Sequence, residues 1–259
     1  MNCCIATICL AVVATLGAAE RPLLHVPHTA QPPLIDGNLD DPAWAGAGII
    51  SALQPAQGIQ RNPAMDKLGT EIRLLWDEQA LYVAFRCLDD DIYASGTVAH
   101  DGDVYTDDVC EIFIDPKGDG RQWIEVQVNP LNQTLDLISL CVGDAACQPN
   151  GRLVSTTDLF AIRGWEATGM HTATGRLHDG DKEIGWTVEM SISASALTKR
   201  LGTTTLAAGE MRANLMRYDH LAKPGKTERG LLHMNWSPVV HGCPHISPGA
   251  MGTLILDPS

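Results

Sequence analysis

Long apolar runs are scarce in this sequence. Beyond its first 20 residues nothing approaches the ~20 consecutive apolar positions of a membrane-spanning helix, so no such helix is expected. Positive charge is also in short supply: 18 Lys and Arg stand against 31 Asp and Glu, a net charge of −13. That balance repels phosphate backbones and excludes nucleic acid as a partner. An acidic surface suits neutral sugars or calcium, and serves solubility equally well. No Gly-x-Ser-x-Gly, His-Glu-x-x-His or phosphate loop occurs, which removes the commonest hydrolase and nucleotide signatures. The cysteines lack the tight spacing of zinc ligands. No internal repeat, low-complexity tract or linker interrupts the chain, so one domain is expected.

What is present begins with Ile5 to Leu16, an apolar run without charge, followed by Gly17-Ala18-Ala19 and Glu20. This has the form of a secretory h-region and small-residue cleavage site, although no Lys or Arg precedes it. Residues 1–19 are therefore expected to be a signal peptide, and residues 20–259 a secreted or periplasmic domain, free of the membrane after cleavage. Cys3, Cys4 and Cys9 leave with the leader, and Cys87, Cys110, Cys141, Cys147 and Cys243 remain. An odd number leaves at least one unpaired unless two chains join covalently. Cys141 and Cys147 bracket a short loop and are the best-placed disulfide pair. Cys87 and Cys110 fall within strand patterns and read as small core residues.

The dominant period is two. Leu81, Val83, Phe85 and Cys87 alternate with Tyr82, Ala84 and Arg86, and Ile124, Val126 and Val128 alternate with Trp123, Glu125, Gln127 and Asn129. Further strands are expected around Glu71–Trp76, Ile112–Ile114, Thr134–Ser139, Glu166–Thr172, Ile184–Ser191, Met211–Tyr218, Leu231–Trp236 and Gly252–Leu256. Turns at Asp36-Gly37, Asp115 to Gly120, Asp179-Gly180-Asp181 and Lys223-Pro224-Gly225 separate them. Two short helices are expected, after Asp41-Pro42 and after Ser193. The fold class is all-β: an antiparallel, jelly-roll-like β-sandwich with one or two short helices. Trp44, Trp76, Trp165, Trp186 and Trp236 read as core; Trp123 shares the polar face and reads as packing against a loop.

Several blocks in order carry a resemblance. Ile35-Asp36-Gly37-Asn38-Leu39-Asp40-Asp41-Pro42-Ala43-Trp44 is followed by Leu74-Leu75-Trp76-Asp77, Leu81-Tyr82-Val83-Ala84 and Asp107 to Asp115. Val128-Asn129-Pro130-Leu131, Gly185-Trp186-Thr187-Val188-Glu189, Trp236-Ser237-Pro238 and Gly252 to Leu256 complete the set. Over residues 33 to 257 the chain resembles the family 9 carbohydrate-binding modules. The resemblance implies a non-catalytic β-sandwich that grips saccharides or polysaccharide chain ends, as an accessory to polysaccharide degradation, often with structural calcium. The family's two sugar-stacking aromatics correspond to Tyr105 and His245, and the smaller imidazole implies weak binding. Asp108, Glu111, Gln127 and Asn129 would reach hydroxyls, with Gln127 and Asn129 matching a family pair.

The residues themselves support part of that set. The Asp115–Arg121 hairpin should put Glu111 opposite or diagonal to Glu125 and Gln127. Amides and carboxylates suit hydroxyls, which both donate and accept; a merely solvated face would show the same alternation. For calcium, Asp89, Asp90 and Asp91, or Asp115 with Asp119, offer clustered oxygens, against the alternative of solvated acidic loops. Two other functions deserve a test. Asp107, Asp108, Glu111 and Glu125 contain enough carboxylates for a glycoside hydrolase. A haem-binding sandwich of the DOMON type would draw ligands from Met211, Met216, His233, Met234, His241 and His245, although no Cys-x-x-Cys-His attaches a haem. The oligomeric state is not legible.

Overall fold

A computed structural model describes residues 21–57, 59–142, 159–239, 245 and 248–259. The expected leader, Cys147, Cys243 and His241 lie outside the described residues. Among those described, the strands form two sheets, with one antiparallel edge after another and a single parallel pairing.

The larger sheet contains β1 (Leu23–Val26), β5 (Val109–Asp115), β6 (Gln122–Val128), β7 (Thr134–Cys141) and β8 (Leu159–Ile162), with β11 (Gly209–Leu221), β12 (Gly230–Asn235) and β13 (Gly252–Leu256). Its order is β1-β13-β11-β5-β6-β7-β8, and β12 also pairs with β11. The smaller sheet is β2 (Gly48–Ile50), β3 (Thr70–Trp76), β4 (Ala80–Leu88), β10 (Lys182–Ser193) and β9 (His171–Asp179), in that spatial order. Ile112, Ile114, Ile124, Val126 and Val128 face Leu81, Val83, Phe85, Trp186 and Val188 in the core between the sheets, where the alternation placed them.

The turn chemistry acts as its residues require. Asp115 accepts N–H bonds from Lys117 (3.1 Å), Gly118 (2.9 Å) and Gly120 (2.7 Å). Gly118 and Gly120 take positive φ there, a conformation only glycine adopts without a Cβ penalty. Asp41 caps the 3-10 turn Pro42–Gly46 through the Ala43 N–H, and Ser193 caps α1 (Ala194–Thr198) through the Ala196 N–H. One expected strand is displaced: Glu166 to Met170 is a turn, closed by Thr168 N–H to Glu166 and Met170 N–H to Ala167, and β9 starts only at His171. The edge strands β1, β2 and β8 escape periodicity because each is four residues or fewer. Cys141 is disulfide-bonded, and Cys87 and Cys110 are buried free thiols.

One carboxylate ties two distant motifs together. Glu189 on β10 is fully buried. It accepts the Trp44 indole N–H (2.7 Å) and the backbone N–H groups of Asp36 (3.0 Å) and Gly37 (2.7 Å). The Asp36-Gly37 turn and the Trp44 turn are thus docked on the small sheet by a single side chain. Trp44→Ala should cost about 3–5 kcal/mol, and Trp44→Ala with Glu189→Ala should cost less than the two singles combined, because both remove one bond. Urea unfolding of the four proteins measures the cycle; a wild-type midpoint for Trp44→Ala would contradict this account.

Candidate functional site

Alternation also orients the outer face of the large sheet. Val109, Glu111 and Phe113 of β5 point outward beside Trp123, Glu125 and Gln127 of β6, with Glu111 directly opposite Gln127 and Phe113 opposite Glu125. The hairpin places them as expected. A solvated face does not result. Val109, Phe113, Trp123, Leu135, Leu137, Met216, Tyr218, Val239 and Met251 form a second apolar cluster there, and Glu111, Glu125 and Gln127 are 0–2% exposed. Trp123 is fully buried in this cluster, in agreement with its packing role.

The polar groups in this layer satisfy one another incompletely. The Gln127 amide donates to Glu111 Oε1 and Glu125 Oε1, each at 2.7 Å. Glu125 Oε2 lies 2.6 Å from His245 Nε2, and the imidazole meets the Phe113 ring edge-on with centroids 5.2 Å apart. Burial, and then the neighbouring charge of Glu125, holds the Glu111 carboxyl well above the ordinary carboxylate range. Among the described residues, Glu111 Oε2, Gln127 Oε1, Trp123 Nε1 and Ser139 Oγ find no hydrogen-bond partner. Buried polar atoms are rarely left so, and these four share one face of three adjacent strands.

The other sequence candidates are distributed differently. Asn129 donates to Asp107 (2.8 Å) and Gln133 (2.7 Å) and accepts the N–H groups of Leu131 and Gln133. Its hydrogen-bonding capacity is spent on the β6–β7 turn. Asp108 lies apart from Glu111: its two oxygens accept the backbone N–H groups of Tyr93 and His220, both at 2.6 Å. Tyr105, in the turn Val104–Thr106, is 40% exposed, and its carbonyl lies 3.0 Å from His220 Nε2. Glu111, Gln127 and His245 are therefore brought together through Glu125, whereas Asp108 and Asn129 serve the backbone.

Around Asp89 the fold supplies its own cation. Arg217, fully buried, reaches Asp89 at 3.0 Å and Asp219 at 2.7 Å, and donates to the Leu88 carbonyl and the Thr70 hydroxyl. Asp91 pairs with Arg229 and accepts the Ala222 N–H; Asp90 is exposed. Asp115 is occupied by backbone donors, and Asp119 pairs with Lys117. Asp89, Asp91, Asp115 and Asp119 thus all have protein partners. Sequence spacing could not reveal this, because Arg217 arrives from β11. Met211 and Met234 fill the inter-sheet core and Met216 the outer cluster, while His233 stacks on Tyr218 at 4.2 Å. The sulfurs sit as core packing.

Residues 35–134 match the carbohydrate family 9 binding domain-like family. The fold agrees along the chain. A carbohydrate-binding module family 9 from Caldicellulosiruptor kristjanssonii solved with glucose aligns with a TM-score of 0.60 at 18% identity, covering 92% of this chain and 97% of that one. The same module solved with cellotriose gives 0.59 at 18% identity, covering 92% and 95%. A Bacteroides uniformis structure assigned provisionally to carbohydrate binding gives 0.63 at 16% identity, covering 92% of this chain and all of that one. No curated protein matches the sequence. The chain has the family 9 β-sandwich fold.

Burial, then the charge of Asp219, raises the Asp108 carboxyl to about 7 despite its two backbone donors, and burial raises Asp219 to about 6. Both folded-state values exceed those of an unfolded chain, near 4. The contribution is complete below about pH 4 and is lost as pH rises through 6 and 7. Stability to urea should accordingly fall between pH 5 and pH 8, and Asp108→Asn should flatten that slope whatever its effect on absolute stability. An equal slope in the variant would show that Asp108 titrates normally.

Proposed function

We propose that this protein binds neutral saccharides without catalysis, at the outer face of the large sheet. The observation that carries the reading is the set of buried polar atoms on Glu111, Trp123, Gln127 and Ser139, close to His245, that have no partner among the described residues. A sugar hydroxyl both donates and accepts, so a ring edge displacing His245 from Glu125 would satisfy Glu111, Glu125 and Gln127 in turn. Tyr105 offers an exposed ring for stacking on the apolar face of a pyranose. The Caldicellulosiruptor module of the same fold, solved with glucose and with cellotriose, supports this ligand class.

Hydrolysis fits the geometry less well. Two catalytic carboxylates must flank a space for the glycosidic oxygen, ~5 to 10 Å apart. Glu111 and Glu125 instead share the hydrogens of one amide and are 0–1% exposed, and Asp108 faces away. The leader pattern supports action outside the cytoplasm, beside enzymes that release chain ends.

Calorimetric titration with glucose, cellobiose and cellotriose should give dissociation constants of about 0.1 to 1 mM, since the loss of one broad platform costs about tenfold per 1.4 kcal/mol. Tyr105→Ala should abolish most of that heat and leave the unfolding midpoint unchanged. No heat at millimolar sugar, or undiminished binding by Tyr105→Ala, would overturn the assignment.

A further inference from the structure

A second cluster lies where the loop before β5, strand β7 and the turn before β9 meet. His100 Nε2 is 3.4 Å from Glu166, 3.8 Å from Asp101 and 3.9 Å from Asp136. Ligand atoms of His100, Asp101 and Glu166 all fall within 4.8 Å of one another. With metal–ligand bonds of 2.0–2.2 Å, neighbouring donors around a tetrahedral zinc stand about 3.3 Å apart. The cluster is therefore close to coordination size.

Three independent features point to a bound cation. His100 Nδ1 lies 3.2 Å from the Thr134 carbonyl and 3.0 Å from its hydroxyl. A carbonyl can only accept, so Nδ1 carries a hydrogen whether or not the ring is protonated, and it is Nε2, within 3.4 Å of both Glu166 oxygens, that is left to face a proton or a metal, the arrangement a metal ligand needs. Next, the Asp136 side chain is 2% exposed. One of its oxygens accepts the Ala167 N–H, but among the described residues no donor reaches Oδ1, which faces His100. Finally, among the described residues no guanidinium neutralises the group. Arg163, the adjacent base, turns to the Asp103 carboxylate (3.0 Å) and the Asp101 carbonyl. The Asp89, Asp108 and Asp219 group, by contrast, encloses Arg217.

We propose that His100, Asp101, Asp136 and Glu166 form a binding site for a divalent transition-metal ion, zinc being the natural occupant of one imidazole and three carboxylates. Imidazole selects for zinc, nickel or copper over calcium and magnesium. The ion would clamp three chain segments. It would also brace the turn between β6 and β7, because Gln133, next to Thr134, donates to the Val98 carbonyl and accepts from Asn129. The opposing groups raise the His100 pKa: burial alone would lower it, and Asp101, Glu166 and Asp136 outweigh burial. A proton and a metal therefore compete for Nε2.

The test uses the full chain stripped with chelator and titrated with zinc chloride by calorimetry, with thermal melts in parallel. One zinc per chain and a raised melting temperature are expected. His100→Ala and Glu166→Gln, both at well-exposed side chains, should each weaken zinc at least tenfold while melting like wild type in chelator. Cobalt should give visible d–d absorption that His100→Ala removes. Absence of zinc binding would overturn the site and leave an imidazolium–carboxylate contact in its place. So would zinc binding that both variants retain, or stabilisation by calcium that does not require His100. None of these readouts involves sugar, so they stand apart from the carbohydrate assignment.

Discussion

Burial of both faces of the large sheet is the constraint on which the rest of the structure depends. One face packs against the smaller sheet, and the other lies under its own apolar layer of Phe113, Trp123, Leu137 and Met216. An alternating strand in a two-layer sandwich ordinarily sends its second set of side chains to water. Here that set enters a low-dielectric layer, and every polar group in it must find a partner or wait for one. Desolvation of a carboxylate costs several kcal/mol unless it is paired or protonated. This is why the Glu111 carboxyl is pushed above the ordinary carboxylate range, why one Gln127 amide serves two acids, and why His245 is held against Glu125. A polar layer assembled in this way has its acceptors fixed in position before any ligand arrives, so little ordering remains to be done on binding.

Acidic excess is managed locally rather than averaged over the surface. The interior of the sandwich near Asp89, Asp108 and Asp219 would be untenable without Arg217, whose guanidinium holds two of the three. Glu189 is compensated by three N–H donors from two neighbouring turns. Asp115 is compensated by a turn of its own making. Among the described residues such compensation is incomplete at Asp136 and at the Glu111–Gln127 pair.

Much of the architecture was legible in the sequence, for a definite reason. Strands β4, β6 and β10 show a period of two because one side of each enters the core between the sheets, and Asp-Gly and Gly-Asp turns need particular backbone angles. Gly185, at the start of the Trp186–Glu189 block, has a cause visible only in three dimensions: a Cβ there would run into the Cys87 carbonyl. The candidate site was half legible. The pairing of Glu111 with Gln127 follows from hairpin register alone. The burial of that face does not, because its cover comes from Ala56, Val239 and Met251, which are distant in sequence. Arg217 filling the Asp89 site, and His100 meeting Glu166, likewise depend on long-range contacts that no spacing rule encodes.

The ordered motif blocks have a physical meaning that composition could not supply. The block ending at Trp44 and the block ending at Glu189 are separated by 145 positions, yet they are the two halves of one hydrogen-bonded junction. Each half is meaningless alone: Glu189 without the Trp44 and Gly37 donors would be an uncompensated buried charge, and the donors without Glu189 would be orphans. Removing either partner costs more than the bond itself contributes. Such a junction keeps both halves together even where the intervening strands diverge. The same reasoning applies to Asp107 and Asn129, which lock the start of β5 to the turn after β6. They hold the edge of the polar layer through protein partners, which motif position alone could not reveal.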